Sequence, residues 1–203
     1  MVFRPVLSQE SPADFFACAL FLILAFLLAG IPHTAWLSSR ISRRFGIPLD
    51  FGAMWRGKRI LGDHKTARGL VVMIPAAGGT FFVLGAILHA YPALLARVWP
   101  LSPASYAVLG TGAGLGFMLG ELPNSFVKRR LDIPPGAPAL HPILRPVFFL
   151  ADRVDSIIGM LIAVSLMVPT PWQTWLYMAL LGPGLHWLFS AILHRCGGKG
   201  RAS

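Results

Sequence analysis

Phe15-Phe16-Ala17-Cys18-Ala19-Leu20-Phe21-Leu22-Ile23-Leu24-Ala25-Phe26-Leu27-Leu28-Ala29-Gly30-Ile31 is an apolar run without a single charge. It approaches the ~20 residues that a helix needs to cross a bilayer. Backbone groups in lipid must pair within their own segment, so a run of this kind reads as a helix. Working outward, four more apolar stretches follow, at about 70–91, 105–122, 146–168 and 174–194. The fourth is interrupted near its start by Asp152, Arg153 and Asp155. Composition agrees: only 13% of the 203 residues are charged, against about 25% in an ordinary soluble domain, and mean hydropathy is +0.65. The expectation is an all-α polytopic membrane protein: about five transmembrane helices in one integral membrane domain over residues 1–203. Two functional loops are expected, at about 32–69 and 123–155.

Charge sets the expected orientation. Eight Lys and Arg lie in 32–69, five in 123–155 and three after residue 194, whereas the intervening segments hold Arg4 and Arg97. This asymmetry predicts a multi-pass cell-membrane protein with both loops and the C-terminus cytoplasmic and the N-terminus outside. Trp99, Trp172 and Trp175 would then form an outer aromatic belt. The net charge of +10 does not imply nucleic acid, because the cations lie between apolar runs. Anionic headgroups and phosphorylated substrates are the expected partners.

Cys18 and Cys196 are expected on opposite sides of the membrane, which argues against a disulfide within one chain, and no Cys/His spacing suggests zinc. Glu10 and Asp14 precede the first apolar run, where a cleavable signal would carry positive charge. Gly112, Gly116 and Gly120 place small residues on one helical face, a pattern that admits close helix packing. Gly182-Pro183-Gly184 predicts a kink in the last helix. His186 follows it and reads either as a locally bonded intramembrane side chain or as a functional one.

The polar chemistry concentrates in the two loops. The first contains Asp50-Phe51-Gly52 and then Arg56-Gly57-Lys58-Arg59-Ile60-Leu61-Gly62-Asp63-His64-Lys65-Thr66-Ala67-Arg68-Gly69, directly before the second apolar stretch. Glycines such as Gly62 let backbone N–H groups approach phosphate oxygens. Lys65 and Arg68 add charge and Thr66 adds a hydroxyl. The spacing is not that of a P-loop. The alternative is an ordinary basic loop that holds anionic lipid. The second loop carries Glu121, then Asn124-Ser125-Phe126-Val127-Lys128-Arg129-Arg130-Leu131-Asp132 and Pro134-Pro135-Gly136. Its three consecutive cations form a dense basic cluster beside the membrane.

Asp152 and Asp155 are three residues apart, which puts both carboxylates on one helical face. At a membrane edge such a pair is costly unless neutralised. Hard oxygen ligands near phosphate-binding groups suit Mg²⁺; salt bridging to the basic residues of the first loop is the alternative. Cations from two loops and a carboxylate pair at one surface suit phosphoryl or nucleotidyl transfer. A phosphate nucleophile is already anionic at neutral pH and needs no strong general base.

The stretch from Gly57 to Thr66 with Arg68-Gly69, the stretch Asn124–Leu131, and Asp152-Arg153-Val154-Asp155-Ser156 together resemble the motifs of the CDP-archaeol synthase family, in the same order. The carboxylate motif is shared more distantly with phosphatidate cytidylyltransferases. The sequence departs from the family's pattern at Arg56, where an Asp is usual, and at Ala67, where a Trp is common. The resemblance implies an Mg²⁺-dependent transferase that joins CTP to a lipid phosphate bearing long apolar chains, giving a CDP-lipid and pyrophosphate. It further implies that Asp63, Lys65, Thr66 and Arg68 position CTP and that Asn124, Ser125, Lys128 and Arg129 contact phosphates. Asp152 and Asp155 would hold the metal. Lys65, Lys128, Asp152 and Asp155 are the expected catalytic set. Two other function classes stay open here: a non-catalytic lipid- or nucleotide-binding protein, and a small transporter, for which His186 is the best central polar group.

Overall fold

The computed structural model describes residues 13–195. Five long helices account for the apolar stretches: α1 (Phe15–Ser38), α2 (Ala67–His89), α4 (Pro103–Arg130), α5 (Leu144–Met167) and α6 (Trp172–Arg195). A one-turn helix, α3 (Pro92–Leu95), lies between α2 and α4. The fold is that of an all-α membrane protein. Among the described residues α1 and α2 are the helices whose length and mean hydropathy suffice by themselves to cross a membrane. α4 and α5 carry ionisable groups toward one end, which is where the site is built. The expectations for the His186 side chain and for Cys196 lie outside the described residues, and α6 stays helical through Gly182-Pro183-Gly184.

The helices close into a ring. α1 packs on α2, α2 on α4, α4 on α5, α5 on α6, and α6 back on α1. Chain direction alternates from α1 through α2, α4 and α5 to α6, which runs parallel to α1 where the ring closes, so the ends that carry the two polar loops all lie at one end. At the opposite end the interior is solid. Phe21 and Leu22 of α1, Phe81 of α2, Tyr106 and Leu109 of α4, and Met160, Leu161 and Val164 of α5 form one buried apolar cluster. Two clasps fix that end. Asp14 caps α1 and pairs with Arg97 at 2.6 Å. Trp99 Nε1 donates to the Pro169 carbonyl at 2.8 Å, and Tyr106 Oη donates to the Trp99 carbonyl at 2.6 Å. Trp99 is therefore buried core rather than part of an outer belt. Its indole finds a carbonyl between two helices, which satisfies the polar tip away from solvent. Trp172 is exposed, as a belt residue would be.

Glycines decide how closely α4 approaches its neighbours. Gly116 and Gly120 face Gly159 of α5, where a Cβ on Gly120 would come within 3.0 Å of the Gly159 Cα. Gly110 and Gly114 face α2 instead, against Phe81 and Met73. α4 thus presents two small-residue faces and sits tightly between α2 and α5. The expected Gly112–Gly116–Gly120 face packs on α5 along its length, Gly112 against Met167.

Both loops are shorter than the sequence suggests. α4 continues to Arg130 and α5 begins at Leu144, so residues expected in a 123–155 loop lie mostly on helical extensions. Lys128, Arg129 and Arg130 fill the last turn of α4, where cations complement the helix dipole. The helix stops at Leu131, and Asp132 turns the chain at φ +57° ahead of Pro134.

Candidate active site

The first loop leaves α1 through a one-turn 3-10 helix (Ile41–Phe45) and forms a small hairpin, β1 (Met54–Trp55) with β2 (Lys58–Arg59). Arg56 and Gly57 both have positive φ at its tip, which suits a two-residue hairpin turn. Asp50 organises the loop. Its buried carboxylate accepts from Arg59 Nη2 at 2.7 Å and from the backbone N–H groups of Leu61 at 2.9 Å, Gly62 at 3.0 Å and Gly52 at 3.2 Å. Burial opposes ionisation of Asp50, but the Arg59 guanidinium and the three amides outweigh it and hold the carboxyl well below the usual carboxylate range. The Gly62 N–H is thus committed to Asp50. Gly62 itself, at φ +90°, packs against Pro135 of the second loop.

The three consecutive cations of α4 separate, because successive residues on a helix point about 100° apart. Arg130 turns to the hairpin, where its guanidinium donates to the carbonyls of Trp55, Lys58 and Arg59. Lys58 reaches back to Asp132 at 2.6 Å, and Trp55 stacks on Phe126. These contacts lock the two loops together. Lys128 turns to α5 and donates to Asp152 Oδ2 at 2.6 Å. Arg129 turns inward: it is 9% exposed, and its Nε and Nη1 make no hydrogen bond to any described residue. With no acid beside it, burial lowers its pKa.

Arg129 lines a cavity of about 700 Å³ that opens at the loop end of the ring. The polar wall brings together Lys65 and Thr66 from the first loop, Glu121, Ser125 and Lys128 from α4, and Asp152 and Asp155 from α5. Its deeper wall is apolar: Ile23, Phe26 and Leu27 of α1, Met160 of α5 and Met178 of α6. The volume falls within the range of small-molecule sites, roughly 300–1,000 Å³.

Asp152 and Asp155 sit on one face of α5, as their spacing predicts. The Asn124 amide spans both, donating to Asp152 Oδ1 at 2.6 Å and to Asp155 Oδ2 at 2.9 Å. Asn124 therefore orients the carboxylates rather than standing free for phosphate. Asp152 has a cation partner in Lys128, not in the first loop. Asp155, partly buried, receives only the Asn124 amide and the Ser156 N–H and hydroxyl, and forms no ion pair among the described residues. With hydrogen bonds from neutral donors alone, and the nearby Lys65 already held by Glu121, this partly buried carboxylate is short of positive charge. Among the described residues no three His, Cys, Asp or Glu side chains are placed to hold a metal ion together. One or two carboxylates completed by substrate phosphates are what a small hard cation uses, so the donor set fits a divalent metal at Asp152 and Asp155.

Other expected site residues have different contacts. Asp63 is exposed and pairs with Arg59 at 2.8 Å. The Arg68 guanidinium donates to the carbonyl of Leu37, a residue of the cavity lining, while Arg68 itself is not part of that lining. Lys65 is in place, and its ammonium is held by Glu121. Glu121 also accepts from the Ser156 hydroxyl at 2.8 Å. Glu121 carries no assigned role in the sequence motifs. The signal was present: a carboxylate at the end of an apolar stretch is a functional candidate by default.

Comparison with known proteins agrees with this architecture. Residues 19–200 match the CarS-like CDP-archaeol synthase family. The CDP-archaeol synthase of Halobacterium salinarum is 32% identical over 87% of this chain and 92% of its own length. That of Pyrococcus abyssi is 32% identical over 74% of this chain and 80% of its own. A solved structure described as an intramembrane enzyme for archaeal membrane lipids biosynthesis aligns with a TM-score of 0.56 and 26% identity, covering 83% of this chain and 92% of that one. A five-helix ring with its motif residues at one end, matched along nearly its whole length, belongs to the CDP-archaeol synthase family.

Proposed function

We propose that this protein is a membrane cytidylyltransferase that transfers CMP from CTP to a lipid phosphate, giving a CDP-lipid and pyrophosphate. Family membership supports the reaction class. The observation that carries the local reading is the cavity, cationic and carboxylate-lined at its mouth and apolar in its depth. Such a cavity can receive a phosphate headgroup and a nucleotide at one end and the start of a lipid chain at the other.

In this reading an anionic oxygen of the lipid phosphate attacks the α-phosphorus of CTP. A new P–O bond forms, and the bond to the β-phosphate oxygen breaks as pyrophosphate leaves. Lys65, Lys128 and Arg129 hold the phosphates and offset the charge that develops on the leaving group. Thr66 and Ser125 add hydroxyl donors. Asp152 and Asp155 would hold Mg²⁺, which when bound supplies neutralisation of the polyphosphate. Asn124 keeps the two carboxylates together. In this reading the loops face the cytoplasm, in keeping with the distribution of Lys and Arg.

Purified protein incubated with CTP, Mg²⁺ and a panel of lipid phosphates should release pyrophosphate and yield a CDP-lipid. A protein that binds neither CTP nor any lipid phosphate, and makes no CDP-lipid from the panel, would refute the reading.

A further inference from the structure

We propose that Arg40 and the 3-10 turn Ile41–Phe45 form a docking surface for the anionic headgroups of the surrounding bilayer, distinct from the cavity. α1 has 24 residues and so spans about 36 Å, longer than a hydrocarbon core of about 30 Å. Its C-terminal end therefore emerges at headgroup level, and the turn follows within three residues. No acidic residue occurs between Asp14 and Asp50. Arg40, Arg43 and Arg44 are exposed, and none forms an ion pair or side-chain hydrogen bond among the described residues. In a 3-10 helix every third residue shares a row. Ser42 is fully buried and fixes the inward row, leaving Arg40 with Arg43 and Ile41 with Arg44 on the two outward rows. Ile41 is 63% exposed and Ile47 51% exposed beside them. Unpaired guanidiniums interleaved with exposed aliphatic groups match a surface that sits at the boundary of headgroups and acyl chains.

The patch is joined to the site. Phe45 contacts the Trp36 ring at 5.4 Å, and Trp36 Nε1 donates to the Arg68 carbonyl at 3.0 Å, in the first turn of α2 next to Lys65 and Thr66. Anionic lipid on the turn would steady that segment; this relay rests on the reading of the cavity as a CTP site.

The test uses full-length protein in phosphatidylcholine nanodiscs, with spin-labelled phosphatidylglycerol or spin-labelled phosphatidylcholine as probe and no nucleotide. Phosphatidylglycerol should be immobilised in preference to phosphatidylcholine, and the preference should vanish at high salt. The triple substitution Arg40→Gln/Arg43→Gln/Arg44→Gln should cut it at least about threefold. The corresponding Lys triple keeps the charge and should retain it, which separates charge loss from misfolding. Undiminished preference in the Gln triple, or its loss in the Lys triple, would overturn the surface. In the wild type, phosphatidylglycerol should also lower the KM for CTP. An unchanged KM with intact lipid preference would overturn the relay and leave the surface standing.

Discussion

The ammonium of Lys65 is held by the carboxylate of Glu121, a residue 56 positions away on α4. This pair ties the end of the first loop to the central helix of the ring, beside Ser156 and the carboxylates of α5. Both side chains are largely removed from solvent, at 26% and 21% exposure. Glu121→Gln should therefore weaken CTP binding by releasing Lys65, and lower stability by roughly 1–2 kcal/mol, between the surface and fully buried cases. A double-mutant cycle with Lys65→Met, read by thermal unfolding, should give a coupling of about 1 kcal/mol. Additive effects would mean that the two do not act together.

Arg129 gives a prediction of opposite sign for stability and function. Its buried guanidinium has unused donors and no acid beside it. Arg129→Gln should leave the melting temperature equal or higher, since an uncompensated buried charge is removed. It should weaken substrate binding by about 1.5–3 kcal/mol, the usual contribution of a charge-assisted hydrogen bond. Calorimetric titration with CTP and with a lipid phosphate would show which substrate Arg129 serves. A destabilised protein with unchanged affinity for both would mean that Arg129 is structural.

The helix spans, the motif order and the α5 carboxylate pair were legible in the sequence because each depends on local spacing. The division of labour among Lys128, Arg129 and Arg130 was not. They read as one basic cluster until the helical phase of α4 is carried past the apolar stretch to its last turn. Trp99 misled for a similar reason: its place before an apolar stretch suggests an interface, whereas its indole finds a carbonyl at Pro169, far along the chain. Asp63 pairs with Arg59 four residues earlier, whereas Arg68 is drawn to the carbonyl of Leu37, a pairing that no local pattern announces. Glu121 is visible in the sequence, but its pairing with Lys65 appears only when α4 and the first loop are brought together.

Acid should loosen the first loop through Asp50. Its folded pKa lies below its ordinary value of 3.8, so its contribution to stability is complete above that value and lost as pH falls below it. Asp50→Asn should lack this component. Limited proteolysis of the hairpin between pH 7 and pH 3 should show wild type becoming more susceptible only toward the acid end. The variant should be susceptible throughout.

Gly159 sets the spacing between α4 and α5, since a Cβ there would fall 2.6 Å from the Gly120 Cα. Gly159→Val should cost about 1–3 kcal/mol by overpacking. It should also reduce activity by shifting Asp155 away from Asn124. A variant with wild-type melting temperature and turnover would show that the close approach is dispensable.

The central claim is that cytidylyl transfer takes place at the Asp152–Asp155 end of the cavity. The most direct measurement follows label from CTP carrying a labelled α-phosphate into the lipid fraction, in wild type and in Asp152→Asn, Asp155→Asn and the double variant. Asn keeps the size and an oxygen acceptor but removes the charge that a hard cation needs. Label should enter a CDP-lipid in the wild type and vanish in each variant, with Mg²⁺-dependent CTP binding weakened and the melting temperature little changed. Elevated Mg²⁺ should restore none of it in the double variant. Wild-type transfer of label by the double variant would contradict the account.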